Sequence, residues 1–229
     1  MLYAMLNGEK IEASTGLKAQ CPLCEKDVFA RCGGTNANHW AHYEEESCES
    51  WSEPETEWHK NWKLVFGKEN SEIIIEKDGK RHIADVLTSN HFVIEFQHSP
   101  ISIITIENRE KFYGEKMLWV INGVSFKDHF TTYYNPEERS GRRIYVGHSS
   151  QQESNWELDN DKDIRFEWKQ PRRVWIGADK PRFIDFGGAY LFKIRDWSGQ
   201  RFGGGVWISK KNFVEEHDGD KKLLSSQSI

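Results

Sequence analysis

Residues 81–97, Arg-His-Ile-Ala-Asp-Val-Leu-Thr-Ser-Asn-His-Phe-Val-Ile-Glu-Phe-Gln, put one carboxylate, Asp85, on a candidate strand. A Glu95-x-Gln97 pair lies on the next strand, across a turn at Ser89-Asn90. Alternate side chains of a strand share a face, so Glu95 and Gln97 are expected to project together while Ile94 and Phe96 face a core. If the two strands pair, Asp85 falls beside Glu95. Two hard oxygen ligands open on one side suit Mg²⁺ or Mn²⁺, with phosphate and water completing the shell, and metal-bound water can attack phosphorus. Two solvated acids on a surface hairpin give the same local pattern, so the weight of this reading comes from the rest of the chain.

A second constellation lies upstream. All four cysteines fall between Cys21 and Cys48. Cys21-Pro-Leu-Cys24 is followed by His39-Trp-Ala-His42, so two thiolates and two imidazoles can close a tetrahedron around Zn²⁺, with Cys32 and Cys48 as substitutes for either histidine. A redox Cys-x-x-Cys sits at a helix start, whereas Glu25–Phe29 reads as a short strand after a knuckle. A disulfide framework belongs to a secreted chain, and Glu9 and Lys10 come too early for a signal peptide. A segment this short and polar needs a staple, and zinc supplies one.

The elements that position these residues are legible in outline. Residues 52–66 read as a helix, with Ser52 and Glu55 at capping-box spacing and Pro54 in its first turn. Trp58, Trp62 and Phe66 recur every four residues as a buried stripe. Glu55, His59 and Lys63 form a parallel polar stripe that can border a cleft. Ile73–Glu76 and Arg81–Leu87 flank Asp78-Gly79, a hairpin signal, and Phe92–Gln97 makes a third strand. A helix over 102–116 with Ile103, Ile106 and Phe112 inward, then a fully buried strand over Met117–Asn122, complete the order helix, three strands, helix, strand.

With 229 residues, 37% hydrophobic, the chain suffices for one sizeable core plus an appended module. The expected divisions are a zinc-binding module over 1–50, a core over 51–149, a β-rich extension over 150–216 and a mobile tail over 217–229. In the extension, Arg143–Val146, Ile164–Trp168, Val174–Ile176, Phe183–Phe186 and Tyr190–Ile194 read as strands. Gly203-Gly-Gly-Val-Trp207 reads as a loop entering another strand, and Ser150–Asp161 as a linker. The net charge of −5 argues against nucleic-acid binding by bulk positive charge, yet a bound divalent cation reverses the field locally. Basic stretches at 139–143 and 169–173 offer phosphate contacts, and Trp168 and Trp175 offer stacking surfaces, although core packing is the commoner use of tryptophan. The absence of a long apolar run suggests a cytoplasmic protein.

The strand and helix order, with acids on the second and third of these strands, resembles the core of the PD-(D/E)XK nuclease superfamily. Several motifs in register make the chain similar to the competence protein CoiA-like family. These are Cys-x-x-Cys with His-Trp-Ala-His, Glu55-x3-His59-x3-Lys63, Ala84-Asp85-Val86, Ile94-Glu95-Phe96-Gln97-His98-Ser99-Pro-Ile101-Ser102 and Arg109-x3-Tyr113. The resemblance implies an α+β, αβββαβ nuclease-type core carrying an N-terminal zinc segment, acting on DNA in uptake or recombination. Asp85 and Glu95 would hold Mg²⁺, Glu55 would contribute from the first helix, and Arg109 and Tyr113 would brace or contact the substrate strand. Gln97 stands where the superfamily usually has lysine. An amide orients water but does not readily take its proton, so Lys63 or His59 would have to compensate.

Overall fold

The computed structural model describes residues 1–33, 37–43, 48, 51, 55–134 and 164–224. The basic stretch at 139–143, the strand expected at 143–146, the Ser150–Asp161 linker and the Ser52 cap lie outside the described residues. The chain is α+β and mostly strand, in two sheets. It divides into one unit of Met1–Ile94 with Asp218–Ser228, and a second of Glu95–His217. Among the described residues no helix is long and apolar enough to cross a membrane.

In the first unit, β1 (Tyr3–Leu6), β2 (Glu9–Glu12), β3 (Lys18–Gln20), β4 (Asp27–Arg31) and β5 (His39–His42) form a sheet of order β2-β1-β3-β4-β5. Its small core gathers Ala4, Ala19, Leu23, Val28 and Trp40, and Ile74 and Ile83 pack against it from the chain beyond residue 50. The first fifty residues therefore do not close a core by themselves. Polar ties reinforce this: Arg81 donates to the Leu23 carbonyl, Lys60 pairs with Glu12 at 3.3 Å, and Lys10 donates to the Ser71 carbonyl at 2.8 Å. These ties join the first fifty residues to the chain at Lys60, Ser71 and Arg81 within the first unit.

Helix α1 (Glu57–Phe66) starts later than the capping-box spacing predicts. Thr56 is the cap, its hydroxyl accepting from the His59 N–H at 3.3 Å, and Glu55 sits ahead of the helix with its side chain turned inward. Trp62 and Phe66 are buried as expected, but so are His59 and Lys63. Beyond Gly67, β6 (Ser71–Lys77) and β7 (Lys80–Leu87) form the predicted hairpin. Asp78 and Gly79 are at φ 52° and 71°, and Lys77 lies opposite Lys80, the geometry of a two-residue type I′ loop. Strand β8 (Val93–Gln97) returns antiparallel to β7, with Val86 opposite Ile94 and Leu87 opposite Val93. The division falls within β8. Asp218–Leu224, expected as a mobile tail, belongs to the first unit, where the Asp220 N–H donates to Val65 O at 2.8 Å.

In the second unit, α2 (Ile103–Tyr113) is capped by the Ser102 hydroxyl and ended by Gly114 at φ 83°. Its buried face is Ile106, Arg109 and Glu110, whereas Ile103 is exposed. Polar residues can take the inward positions because each has partners there. Glu110 alone accepts from the Trp119 indole and the Asp179 N–H at 2.8 Å and from the Lys180 N–H at 3.3 Å. Strand β9 (Met117–Asn122) is buried throughout, as its apolar run requires. It pairs in parallel with β12 (Arg182–Asp185). Beyond β12 the order continues through β13 (Tyr190–Asp196), β14 (Phe202–Ser209), β11 (Ile164–Trp168) and β10 (Phe130–Tyr134), and α3 (Lys210–Glu216) follows β14.

Two expectations about this half are corrected, and Trp168 and Trp175 take the core packing that is the commoner use of tryptophan. Val174–Ile176 lies in a 3₁₀ turn over Arg173–Gly177, not a strand. Trp168 and Trp175 are core residues with no surface for a base: Trp168 stacks on Phe126 at 5.0 Å and on Trp197 at 5.2 Å, and Trp175 meets Trp119 edge-on at 5.3 Å. The glycines at 203–205 lie inside β14 rather than in a loop. A Cβ on Gly205 would stand 2.3 Å from the Lys193 carbonyl oxygen and 2.6 Å from the Phe192 ring, and one on Gly203 would stand 2.4 Å from the Phe166 ring. The missing side chains give room to the aromatic core.

This packing predicts that Gly205→Ala lowers stability by about 1–3 kcal/mol through overpacking against immovable backbone. Gly188→Ala, with nothing within 4 Å of the added carbon, is expected to be close to neutral. Urea denaturation of the two variants makes the comparison.

Candidate metal and ion-pair sites

The turn between β3 and β4 is the Cys-x-x-Cys knuckle. The Cys21 N–H donates to Lys26 O and the Glu25 N–H to Cys21 O, both at 2.9 Å. Glu25 takes φ 61°, and the Leu23 N–H reaches the Cys21 sulfur at 3.4 Å. This curl brings both sulfurs to one end of the sheet. His42 ends β5 there, opposite Val28 at the start of β4.

The group that converges is Cys21, Cys24, His42 and Cys48, whose ligand atoms all lie within 4.8 Å of one another. Cys21 and Cys48 sulfurs are 3.5 Å apart, and His42 Nε2 is 3.3 Å from Cys24 and 3.6 Å from Cys48. Tetrahedral Zn²⁺ with bonds of about 2.3 Å to sulfur and 2.0 Å to nitrogen implies ligand separations of roughly 3.5–3.8 Å, so four ligands of this kind fit zinc. His42 is held toward its neutral, ligating form by burial and by the nearby Lys26 charge. Burial works against the Cys24 thiolate, but the Lys26 backbone N–H and the neighbouring thiols bring its pKa below the ordinary value.

His39 is not part of this group. It lies opposite Arg31 at the far end of β4, its Nδ1 2.8 Å from the Ala37 carbonyl oxygen. Three positions along a strand amount to about 10 Å and an inverted face, so two histidines spaced His-x-x-His on a strand do not converge. Cys32 follows the same far end of β4 and packs against the small core. Cys48 takes the fourth corner.

The second site is also in the first unit. The Lys63 ammonium, buried on α1, lies 3.1 Å from Glu55, 3.0 Å from Glu72 and 3.3 Å from Asp85. Glu72 had no signal in the sequence beyond its place at the edge of a strand. It takes φ 51°, which non-glycine residues rarely adopt, and its two oxygens accept from the Leu2 and Tyr3 N–H groups at 2.7 and 2.8 Å. Burial alone would lower the Lys63 pKa, but Glu55, Glu72 and Asp85 together raise it well above the ordinary value. Burial would likewise raise Glu72, yet Lys63 and the two backbone donors hold it down to about 2. The N-terminal ammonium, 4.0 Å from Glu55, and Lys10, which donates to the Glu72 carbonyl at 3.3 Å, add further positive charge around these three carboxylates. Asp85, 21% exposed in its side chain, is the member that reaches solvent.

The other predicted residues are distributed as follows. His59 is buried, with Nδ1 2.9 Å from the Thr56 hydroxyl. Glu95 and Gln97, on β8 in the second unit, are both buried. Arg109 donates to Glu95 at 2.8 Å, and the Gln97 amide donates to Ser99 O at 2.9 Å. Arg109 is itself buried and its guanidinium lies 5.8 Å over the Trp119 ring, while Tyr113 is half-buried near the end of α2 against Phe112.

Residues 6–50 match the family model described as Competence protein CoiA, N-terminal domain, a stretch that contains the whole Cys/His cluster. No curated protein and no solved structure matches the chain.

Purified protein is expected to carry about one zinc per chain. Cys48→Ser and His42→Ala should lose most of it, while His39→Ala and Cys32→Ser keep it. Metal analysis by mass spectrometry decides, and zinc retention in Cys48→Ser would remove this ligand set.

A pH dependence follows from Glu72. Its folded pKa lies below the unfolded value near 4.5, so its contribution is complete above pH 4.5 and is lost as pH falls toward 2, where the unfolded chain binds the extra proton. The Glu72→Gln protein should show a flatter loss of stability across that window than the parent, measured by thermal midpoints. Lys63→Met, which strands buried carboxylates, should cost about 3–5 kcal/mol at neutral pH.

Proposed function

We propose that this chain is a divalent-metal-dependent deoxyribonuclease that hydrolyses phosphodiester bonds in the cytoplasm, built on a PD-(D/E)XK-type core. Its setting would be DNA uptake and recombination or attack on foreign DNA. The element order α1-β6-β7-β8-α2-β9, with Asp85 on the second of the three strands and Glu95 on the third, supports the reading. The observation that carries it is the Lys63 ammonium 3.3 Å from the solvent-reaching Asp85, held there by two further buried carboxylates.

Mg²⁺ or Mn²⁺ bound by Asp85 and Glu95 would supply Lewis acidity and lower the pKa of attacking water. The residues of the chain have separate tasks. Lys63 stays protonated, because its three carboxylate neighbours raise its pKa, so it serves as a fixed positive charge beside Asp85 and not as a proton acceptor. Glu55 and Glu72 hold that ammonium in place, and Arg109 braces Glu95.

A second reading, a DNA-binding factor that retains the fold without catalysis, is favoured by the same two features. An amide stands at position 97, and Lys63 is locked as a cation, so neither side chain takes the proton of water.

The test is incubation of purified protein with single-stranded, linear duplex, nicked and branched DNA in Mg²⁺ or Mn²⁺. Cleavage is expected, and Asp85→Asn and Glu95→Gln should each reduce it at least a hundredfold while leaving DNA binding intact. Binding without cleavage of any form in either metal replaces the nuclease with the binding factor. Absence of binding removes both.

A further inference from the structure

The second unit carries a row of side chains that neither metal site uses. Strand register places Tyr133 of β10 opposite Arg165 of β11, Arg165 opposite Gly204 of β14, and Gly204 opposite Asp196 of β13. Directly opposed residues share a face, so these four form one line across the sheet. Phe202, two residues before Gly204, projects from the same face. The other face carries Phe166 and Phe192, which are buried, so the row belongs to the outer surface.

Gly204 leaves a gap in the middle of the line. Arg165 and Asp196 meet across it at 3.6 Å, with side chains 47% and 82% exposed. Beside them is a cavity of 330 Å³ lined by Tyr133, Arg165, Asp196, Trp197, Ser198 and Phe202. Its wall is rigid, since the Trp197 indole donates to Gln200 O at 2.7 Å and its ring stacks on buried Trp168. Its rim is Phe202, 56% exposed, with the Arg201 guanidinium 5.9 Å from the ring and itself paired to Glu167.

We propose that this cavity is a base-binding subsite for single-stranded DNA, an inference that rests on the reading of the chain as a DNA protein. The volume is at the small end of ligand sites, the size class of one planar heterocycle rather than an extended molecule. An exposed aromatic ring next to a cation is the platform on which an unpaired base stacks, with phosphate neutralised alongside. The exposed Arg165–Asp196 pair contributes little to folding and opens readily toward a ligand. Its guanidinium donates to a base carbonyl or ring nitrogen, while its carboxylate accepts from an exocyclic amine. Cytosine offers both an acceptor and an amine, whereas thymine offers carbonyls without the amine. The site therefore prefers cytosine to thymine.

Fluorescence anisotropy with labelled (dC)12 and (dT)12, at one fixed salt concentration and without added Mg²⁺, tests this. The parent protein should bind (dC)12 more tightly. Phe202→Ala should weaken both about tenfold without changing the circular dichroism spectrum, and Asp196→Asn should erase the preference while retaining binding. If Phe202→Ala binds as the parent does, or if the parent binds duplex and not single strands, the subsite falls and the proposed function stands. If the parent binds no DNA of any form, both fall. If Phe202→Ala instead turns a dimer into a monomer by sedimentation, the ring is a self-association surface and the subsite is overturned.

Discussion

One buried ammonium organises the first unit. Lys63 leaves α1 and meets a carboxylate from the segment ahead of that helix, one from β6 and one from β7, so four pieces of chain converge on a single charge. Burying a lysine is costly unless its charge is matched, and here the matching carboxylates are themselves buried and bonded. Glu72 extends the tie to a fifth piece by accepting from Leu2 and from Tyr3, where β1 begins. The arrangement demands its own backbone conformation, since Glu72 reaches Lys63 and β1 from the left-handed region. Strain of that kind persists only where surrounding contacts over-determine it. The dependence runs both ways: the helix position fixes the ammonium, and the ammonium fixes which face of the helix turns inward.

That reversal explains what the sequence left illegible in this half. The four-residue spacing of Glu55, His59 and Lys63 was visible, and so was its closeness to the tryptophan stripe. A polar stripe reads as solvent-facing because isolated charges do not bury, and the compensating acids come from residues 72 and 85, which spacing alone does not bring together. The Asp78-Gly79 hairpin and the apolar strand Met117–Asn122 were legible because their signals are local: a pair of residues that tolerate positive φ, and an unbroken apolar run. The zinc ligands fall between these cases. The cysteine knuckle was plain and Cys48 was legible as a substitute for a histidine, but only strand alternation applied to His-Trp-Ala-His, which separates His39 from His42, tells which histidine it replaces.

In the second unit the illegible features share a different cause. Three consecutive glycines read as a loop because glycine weakens a strand, yet here Gly203 and Gly205 are the partners of large rings on the neighbouring strands. A strand flanked by phenylalanines gains more from close approach than from side chains of its own. The same logic keeps Trp168 and Trp175 in the core, the commoner use of tryptophan: an aromatic-rich unit consumes its tryptophans in packing. Phe202 at the start of β14 is an exception, its ring standing in solvent next to a cation.

The chemistry open to the chain is narrowed by where its cations are fixed. A lysine that is to accept a proton near neutral pH needs a depressed pKa, which comes from desolvation or from a neighbouring cation. Lys63 has the desolvation but also three carboxylates, and the carboxylates dominate. It therefore holds its proton throughout the physiological range, and in the proposed reaction it would act by its field beside Asp85. In the proposed reaction, water activation would then come from a metal-lowered pKa or from the phosphate itself rather than from Lys63. A phosphodiester-cleaving centre of this design would depend on its divalent ion more steeply than one with a free amine, since the ion carries both the Lewis-acid and the proton-lowering roles.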